Sequence, residues 1–181
     1  MENENLEVAT FAGGCFWCTE AVFNTIEGVE LVVSGFTGGQ IKNPAYREII
    51  SGRTGHAEAV QVFFNPNKAS FVTLLEVFFA THNPTTLNQQ GYDIGTQYRS
   101  EIFYSNKIQQ QQTLEFIELL ESQNVFEDTI VTKVSKLDVF YNAEEEHQDF
   151  YNNNKEYRYC QLVIQPKLDK IKQYYSNLLK T

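Results

Sequence analysis

The sequence predicts one α+β domain spanning residues 1–181. Apolar runs of strand length interleave with helix-length periodic stretches, and the interleaving lacks the regular spacing of βαβ units. The 181 residues, 42% hydrophobic and 14% aromatic, suffice to bury one sizeable core. No internal repeat or long linker divides them, and glutamines 109–112 are the one biased run.

The elements follow in order. Leu6–Phe11 and Val29–Phe36 read as strands, with a helix from about Phe16 to Ile26 between them. Thr37–Pro44 holds two glycines and a proline and is a loop. Ala57–Asn65 alternates as a half-buried strand, and Ser70–His82 is a helix with Ser70 as its N-cap. Asn83–Thr96 contains Pro84, Gly91 and Gly95 without periodic apolar residues, so it forms a long loop. Tyr98–Tyr104 is expected as a strand, Asn106–Ser122 as a helix and Thr132–Val139 as a strand. Ala143–Tyr151 is polar and helical in composition, and Tyr159–Gln165 alternates like a last strand. From Pro166 onward, Leu168, Ile171, Tyr175 and Leu178 share one helical stripe. Residues 1–4 are expected to be disordered, and 153–181 to form a C-terminal extension packed on the core.

The chemistry concentrates in Gly13-Gly14-Cys15-Phe16-Trp17-Cys18. Two glycines permit a tight strand-to-helix turn. Cys15 then falls in the first helical turn, where free N–H groups and the helix dipole favour an anion. Such a thiol is expected to have a lowered pKa and a larger thiolate fraction. Phe16 and Trp17 add an aromatic wall, and Cys18 follows about one helical turn on. A reactive sulfur, an apolar pocket and a second sulfur make a thiol redox site.

Glu58 is the second anchor. Period 2 places it on the same strand face as Val60, Val62 and Phe64, where lost hydration raises a carboxyl pKa. A carboxylic acid neutral near pH 7 can donate a proton. The other reading puts Glu58 at the strand's mouth, reaching water. Tyr98 and Tyr46 could each pack by the ring and hydrogen-bond by the tip, though ten tyrosines make any one of them an ordinary core candidate. Asp93 could orient a polar substrate group or close an Asx turn. His147 sits in an acidic stretch whose default place is a solvated helix face.

Composition excludes several classes. Fourteen basic against 23 acidic residues give a net charge of −9, which disfavours a phosphate backbone as partner. The acidic amino terminus is no signal peptide, and no apolar run approaches bilayer length. A soluble cytoplasmic protein is expected, with no nucleic-acid or membrane partner. Three cysteines cannot all pair within one chain, so redox chemistry outweighs structural disulfides. The histidines lack metal-site spacing, Cys15-x-x-Cys18 lacks a second ligand pair, and no nucleotide-binding glycine pattern is present. No metal is expected.

The chain resembles the A-type peptide methionine sulfoxide reductases. The resemblance runs through Gly14–Trp17, Gly38-Gly39, Asn43–Glu48, Ser51–Glu58, Asp93–Ser100 and Ala143-Glu144 with His147-Gln148, nearly the whole chain. It implies a ferredoxin-like two-layer core with a mixed sheet and long coil segments. It also implies reduction of the S epimer of methionine sulfoxide, free or in proteins, without a bound cofactor. An external thiol, thioredoxin or dithiothreitol, would supply the electrons to a monomeric enzyme. By matching position, Cys15 is the nucleophile and Glu58 the proton donor. Phe16 and Trp17 would hold the substrate methyl, Tyr46 and Tyr98 the sulfoxide oxygen, and Asp93 and His147 the rest of the substrate.

The sequence departs from that pattern at its second and third cysteines. Many family members have glycine at the position of Cys18 and resolving cysteines in a glycine-rich tail. Here Tyr157–Cys160 matches the tail, but Arg158 stands where glycine is usual. Cys18 is read as the first resolving thiol, and Cys160 as either a relay or an inert buried thiol. The alternatives are a thiol–disulfide exchanger using Cys15-x-x-Cys18 and a binding module for oxidised methionine.

Overall fold

The computed structural model describes residues 5–181; the expectation for residues 1–4 lies outside them. A six-stranded sheet forms the centre, built from β1 (Glu7–Gly13), β2 (Val29–Thr37), β3 (Ala57–Phe64), β6 (Ser100–Tyr104), β7 (Lys133–Lys136) and β8 (Phe140–Asn142). Their order is β7-β6-β1-β3-β2-β8, and β6–β7 is the parallel pair. The α+β class and the mixed sheet are as expected. A separate two-residue ladder joins β4 (Gln89–Gln90) to β5 (Asp93–Ile94) inside the long loop.

Register decides which side chains meet. Phe11 on β1 lies opposite Val60 on β3, and Glu58 lies opposite Phe36 on β2. Alternation therefore puts Phe11, Glu58, Val60, Val62 and Phe64 on one face. That face is covered by α1 (Phe16–Phe23), α3 (Phe71–Ala80) and α6 (Gln165–Tyr174). Phe11 stacks between Phe23 at 5.1 Å and Phe78 at 5.0 Å, ring centroid to centroid. A fully buried phenylalanine contributes about 1.5–3 kcal/mol, so this layer anchors the sheet. The opposite face carries the small Ala12, Ala57 and Ala59, which leave room for Phe103, Leu137 and Phe140.

Most predicted elements appear within two or three residues of their expected ends. Ser70 caps α3, accepting from Thr73 N at 3.0 Å, and Asn106 caps α4 (Lys107–Ser122) by accepting from Gln109 N at 2.9 Å. The first helix is shorter than expected, because residues 25–27 pair with the C-terminal segment: Glu27 N donates to Leu178 O, and Lys180 N to Thr25 O.

Three expectations are corrected. Tyr98 does not open a strand; Thr96–Tyr98 is a 3₁₀ turn following Gly95, and β6 starts at Ser100. Ala143–Tyr151 is not one helix but a 3₁₀ turn, Glu145–His147, and the short α5 (Phe150–Asn153). Its break lies at Gln148, whose side chain bonds Ser34 N and O on β2, and at Asp149, with φ of 50°. The expected strand Tyr159–Gln165 is helical: Cys160–Ile164 is a π turn running into α6. Cys160 and Ile164 are buried while Leu162 is 62% exposed, a helical pattern imposed by packing rather than β propensity. Among the described residues no helix is long and apolar enough to cross a membrane.

Candidate active site

Gly14, with φ of +95°, turns the chain out of β1. A Cβ there would lie 2.7 Å from Gln90, so the long loop packs directly on this turn. The turn delivers Cys15 to the N-cap of α1, one residue earlier than the expected first helical turn. Cys15 is buried and so is Cys18, whose N–H donates to Cys15 O at 3.1 Å.

Glu58 enters from β3. It is 1% exposed, its Oε1 accepts from Phe16 N at 3.2 Å, and its Oε2 has no partner. Burial raises its pKa to about 8 despite the Phe16 bond, and the charges of Asp93 and Cys18 push the same way. The acid is thus protonated at neutral pH, as the strand pattern predicts, and the reading that placed it in water does not hold.

The two sulfurs influence each other's ionisation, and their titrations diverge. Burial raises the Cys15 thiol well above its ordinary range, aided by the bond to Cys18 and the Glu58 charge. The same bond from Cys15 lowers Cys18 to about 7, with help from Lys167 and Tyr159 against burial. The expected low pKa at Cys15 is therefore corrected. Dehydration outweighs the helix terminus, and the readily ionised sulfur is Cys18.

The aromatic residues assemble from segments far apart in the chain. Phe16 is fully buried against Phe36, Tyr46 and His147. Trp17 stacks on Phe150 at 3.7 Å and donates from Nε1 to His147 Nδ1 at 3.3 Å. The His147 ring lies 4.0 Å from that of Tyr46, so this histidine is buried in the cluster and not on a solvated helix face. Tyr46 opens the short α2 (Tyr46–Ile49), its N–H held by Glu144 at 3.0 Å. Burial first, and then the charge of Glu58, raise the phenols of Tyr46 and Tyr98, so both remain donors. Asp93 sits on β5 rather than in an Asx turn, and accepts from Tyr159 at 2.9 Å. Glu144, Glu146 and His147 bring ligand-type atoms within 4.8 Å of one another, but Tyr46 N already engages Glu144 and Trp17 engages His147.

A polarisable thiol beside an uncharged acid and a set of fixed phenols can protonate an oxygen while sulfur attacks the atom bearing it. The model of the family described as peptide methionine sulfoxide reductase matches residues 7–179. The chain belongs to the peptide methionine sulfoxide reductase family. It is 52% identical over 174 residues to the peptide methionine sulfoxide reductase MsrA of Deinococcus radiodurans, covering 96% of this chain and 84% of that protein. Among solved structures, reduced Mxr1 of Saccharomyces cerevisiae matches with a TM-score of 0.79 at 29% identity, covering 88% of this chain and 91% of that one. Methionine sulfoxide reductase A of Corynebacterium diphtheriae matches with a TM-score of 0.76 at 32% identity, covering 85% and 77%.

Three further residues of this reductase-family site escape sequence reading. Tyr159 approaches Cys18 Sγ at 3.5 Å and meets Trp17 edge-on, ring centroids 5.9 Å apart. Its place beside Cys160 in the matched tail was the available signal. Phe150 follows His147 by three residues. Glu20, an acid within the apolar α1, is buried and accepts from Ser34 Oγ at 3.0 Å and Phe150 N at 3.2 Å. Cys160 is buried too, and all three cysteines are free thiols.

Proposed function

We propose that this chain reduces methionine-S-sulfoxide, free or in proteins, to methionine. The observation that carries the reading is the buried Cys15 thiol beside a protonated Glu58 whose Oε2 is unpartnered. Sulfoxide oxygen leaves only once it is protonated. Glu58 gives its proton to that oxygen as the Cys15 sulfur attacks the sulfoxide sulfur, and the Cys15 proton replenishes Glu58. The oxygen ends on Cys15 as a sulfenic acid, the substrate sulfur gains two electrons, and methionine leaves. Acid catalysis of this kind supplies about 10²–10⁴-fold in rate.

Tyr46 and Tyr98 hold the sulfoxide oxygen, Phe16 and Trp17 the methyl, and Asp93 with His147 the remainder of the substrate. Cys18 then resolves the sulfenic acid to a disulfide, and Cys160 relays that disulfide outward. Thioredoxin, or dithiothreitol in vitro, returns the electrons by thiol–disulfide exchange, so no bound cofactor is needed. The site draws on a single chain and one core from Ala9 to Ile171, which suits a monomeric single domain. Free thiols suit the cytoplasm. A protein-disulfide exchanger has no use for a dry acid facing its thiol, and that reading is not favoured.

The test is one equivalent of methionine-S-sulfoxide without reductant, followed by mass mapping of the cysteines. One methionine per chain and a Cys15–Cys18 disulfide are expected. Cys15→Ser should form no methionine, and Cys18→Ser should complete one turnover but cycle poorly with thioredoxin. Absence of methionine from the unmodified protein sinks the activity, normal cycling by Cys18→Ser sinks the resolver, and full cycling by Cys160→Ser removes the relay.

A further inference from the structure

Cys18 has a set of partners of its own. The Tyr159 hydroxyl lies 3.5 Å from Cys18 Sγ and donates to Asp93 Oδ2 at 2.9 Å. A phenol carries one proton. While that proton is held by the carboxylate, the sulfur contact runs from the Cys18 S–H to the phenolic oxygen; in the other polarity the phenol donates to the sulfur and lowers its titration. Thiol, phenol and carboxylate thus form a directed chain, drawn from α1, the segment before the π turn, and β5. Burial and the charges of the sulfurs and Asp93 hold the phenol protonated. It can release a proton only as it receives one.

We infer that Tyr159 relays the Cys18 proton to Asp93 while Cys18 attacks the sulfenic acid on Cys15. The inference rests on the reading of Cys18 as the resolving thiol. The Cys18 proton passes to the Tyr159 oxygen as the Tyr159 proton passes to Asp93 Oδ2. The Cys18 sulfur bonds to the Cys15 sulfur, and the Cys15 S–O bond breaks. The departing hydroxide takes the Glu58 proton and leaves as water, and the proton on Asp93 returns through solvent to Glu58. Sulfenic acid plus thiol gives disulfide plus water, with Cys18 oxidised and Cys15 reduced.

Charge explains why a relay serves better than simple ionisation. The charge of Asp93 opposes a thiolate at the buried Cys18. Passing the proton along the chain exchanges one anion for the other. The remaining titratable neighbours are Cys15 at the N-cap of α1, Cys160 in the π turn, Glu58 in β3, Lys167 in α6, Tyr46 and Tyr98 on the Asp93 side, and His82, which lines the narrow space behind Cys18 with Lys167. None of them contacts both the sulfur and a carboxylate as Tyr159 does.

Tyr159→Phe keeps the ring against Trp17 and removes the relaying atom. The enzyme is mixed with one equivalent of methionine-S-sulfoxide without reductant; methionine is followed by chromatography and surviving sulfenic acid by dimedone labelling. At pH 6.5 the variant should release close to one methionine per chain, certifying a folded site. Its sulfenic acid should persist about a hundredfold longer than in the unmodified enzyme, the lower end of acid–base contributions. The gap should close above about pH 7, where Cys18 ionises unaided. Sulfenic acid decaying at the unmodified rate at pH 6.5 overturns the relay, as does a gap that pH leaves unchanged. Cys18→Ser separates the two claims: unimpaired decay in that variant, ending in a Cys15–Cys160 disulfide, refutes the resolver itself.

Discussion

Glu58 holds its proton because β3 turns it inward and only one of its oxygens finds a donor. Glu58→Gln should keep the volume and the Phe16 bond yet slow methionine formation by about 10²–10⁴-fold, measured in a single turnover. A loss below threefold would show that the proton comes from elsewhere. In the unmodified enzyme, activity should fall as pH climbs past about 8, where Glu58 ionises. Alternation in the sequence put Glu58 on the face of Val60, Val62 and Phe64 but left open that it reaches water at the strand's mouth; the helices packed on that face close it off. The Cys15 titration was not legible in the sequence. A helix terminus can be read from neighbouring residues, but the burial that outweighs it comes from the far sides of the fold.

At the scale of elements, strands and long helices were legible where one face is apolar or an end carries a cap, as with Ser70. The C-terminal third was less so. Leu162, Val163 and Ile164 favour a strand locally, yet Cys160, Ile164, Leu168 and Ile171 must meet α1, which only a helix allows. That misreading hid Tyr159. Reading Ala143–Tyr151 as one helix likewise hid Phe150, because Gln148 ties its backbone to β2 and frees the next residues to turn towards Trp17. Phe150→Ala should raise KM for a methionine sulfoxide peptide three- to tenfold with a smaller change in kcat, following the roughly 0.5–1.5 kcal/mol of an aromatic pair. An unchanged KM would leave the stack without a part in binding.

Across the whole molecule, buried titratable groups set the pH of greatest stability. Burial raises Glu58 to about 8 and Glu20 to about 7, so their contributions are complete below an ordinary pKa near 4.5 and are lost as pH rises through those values. Burial lowers His82 to about 3, so its contribution is present above its ordinary 6.5 and is lost as pH falls through that window. The urea midpoint should therefore be greatest near pH 4.5 and fall towards about pH 7, where the two carboxyls outweigh His82 and the lowered Cys18 has yet to contribute, with Glu58→Gln flattening that fall. A midpoint higher at pH 7 than at pH 4.5 contradicts this. Trp17, the one tryptophan in 181 residues, stands where α1, α5 and the Tyr159 segment converge. Ultraviolet emission from this lone indole is accordingly a label-free optical gauge, able to follow substrate arrival, disulfide closure and the docking of the final third of the polypeptide without any attached dye.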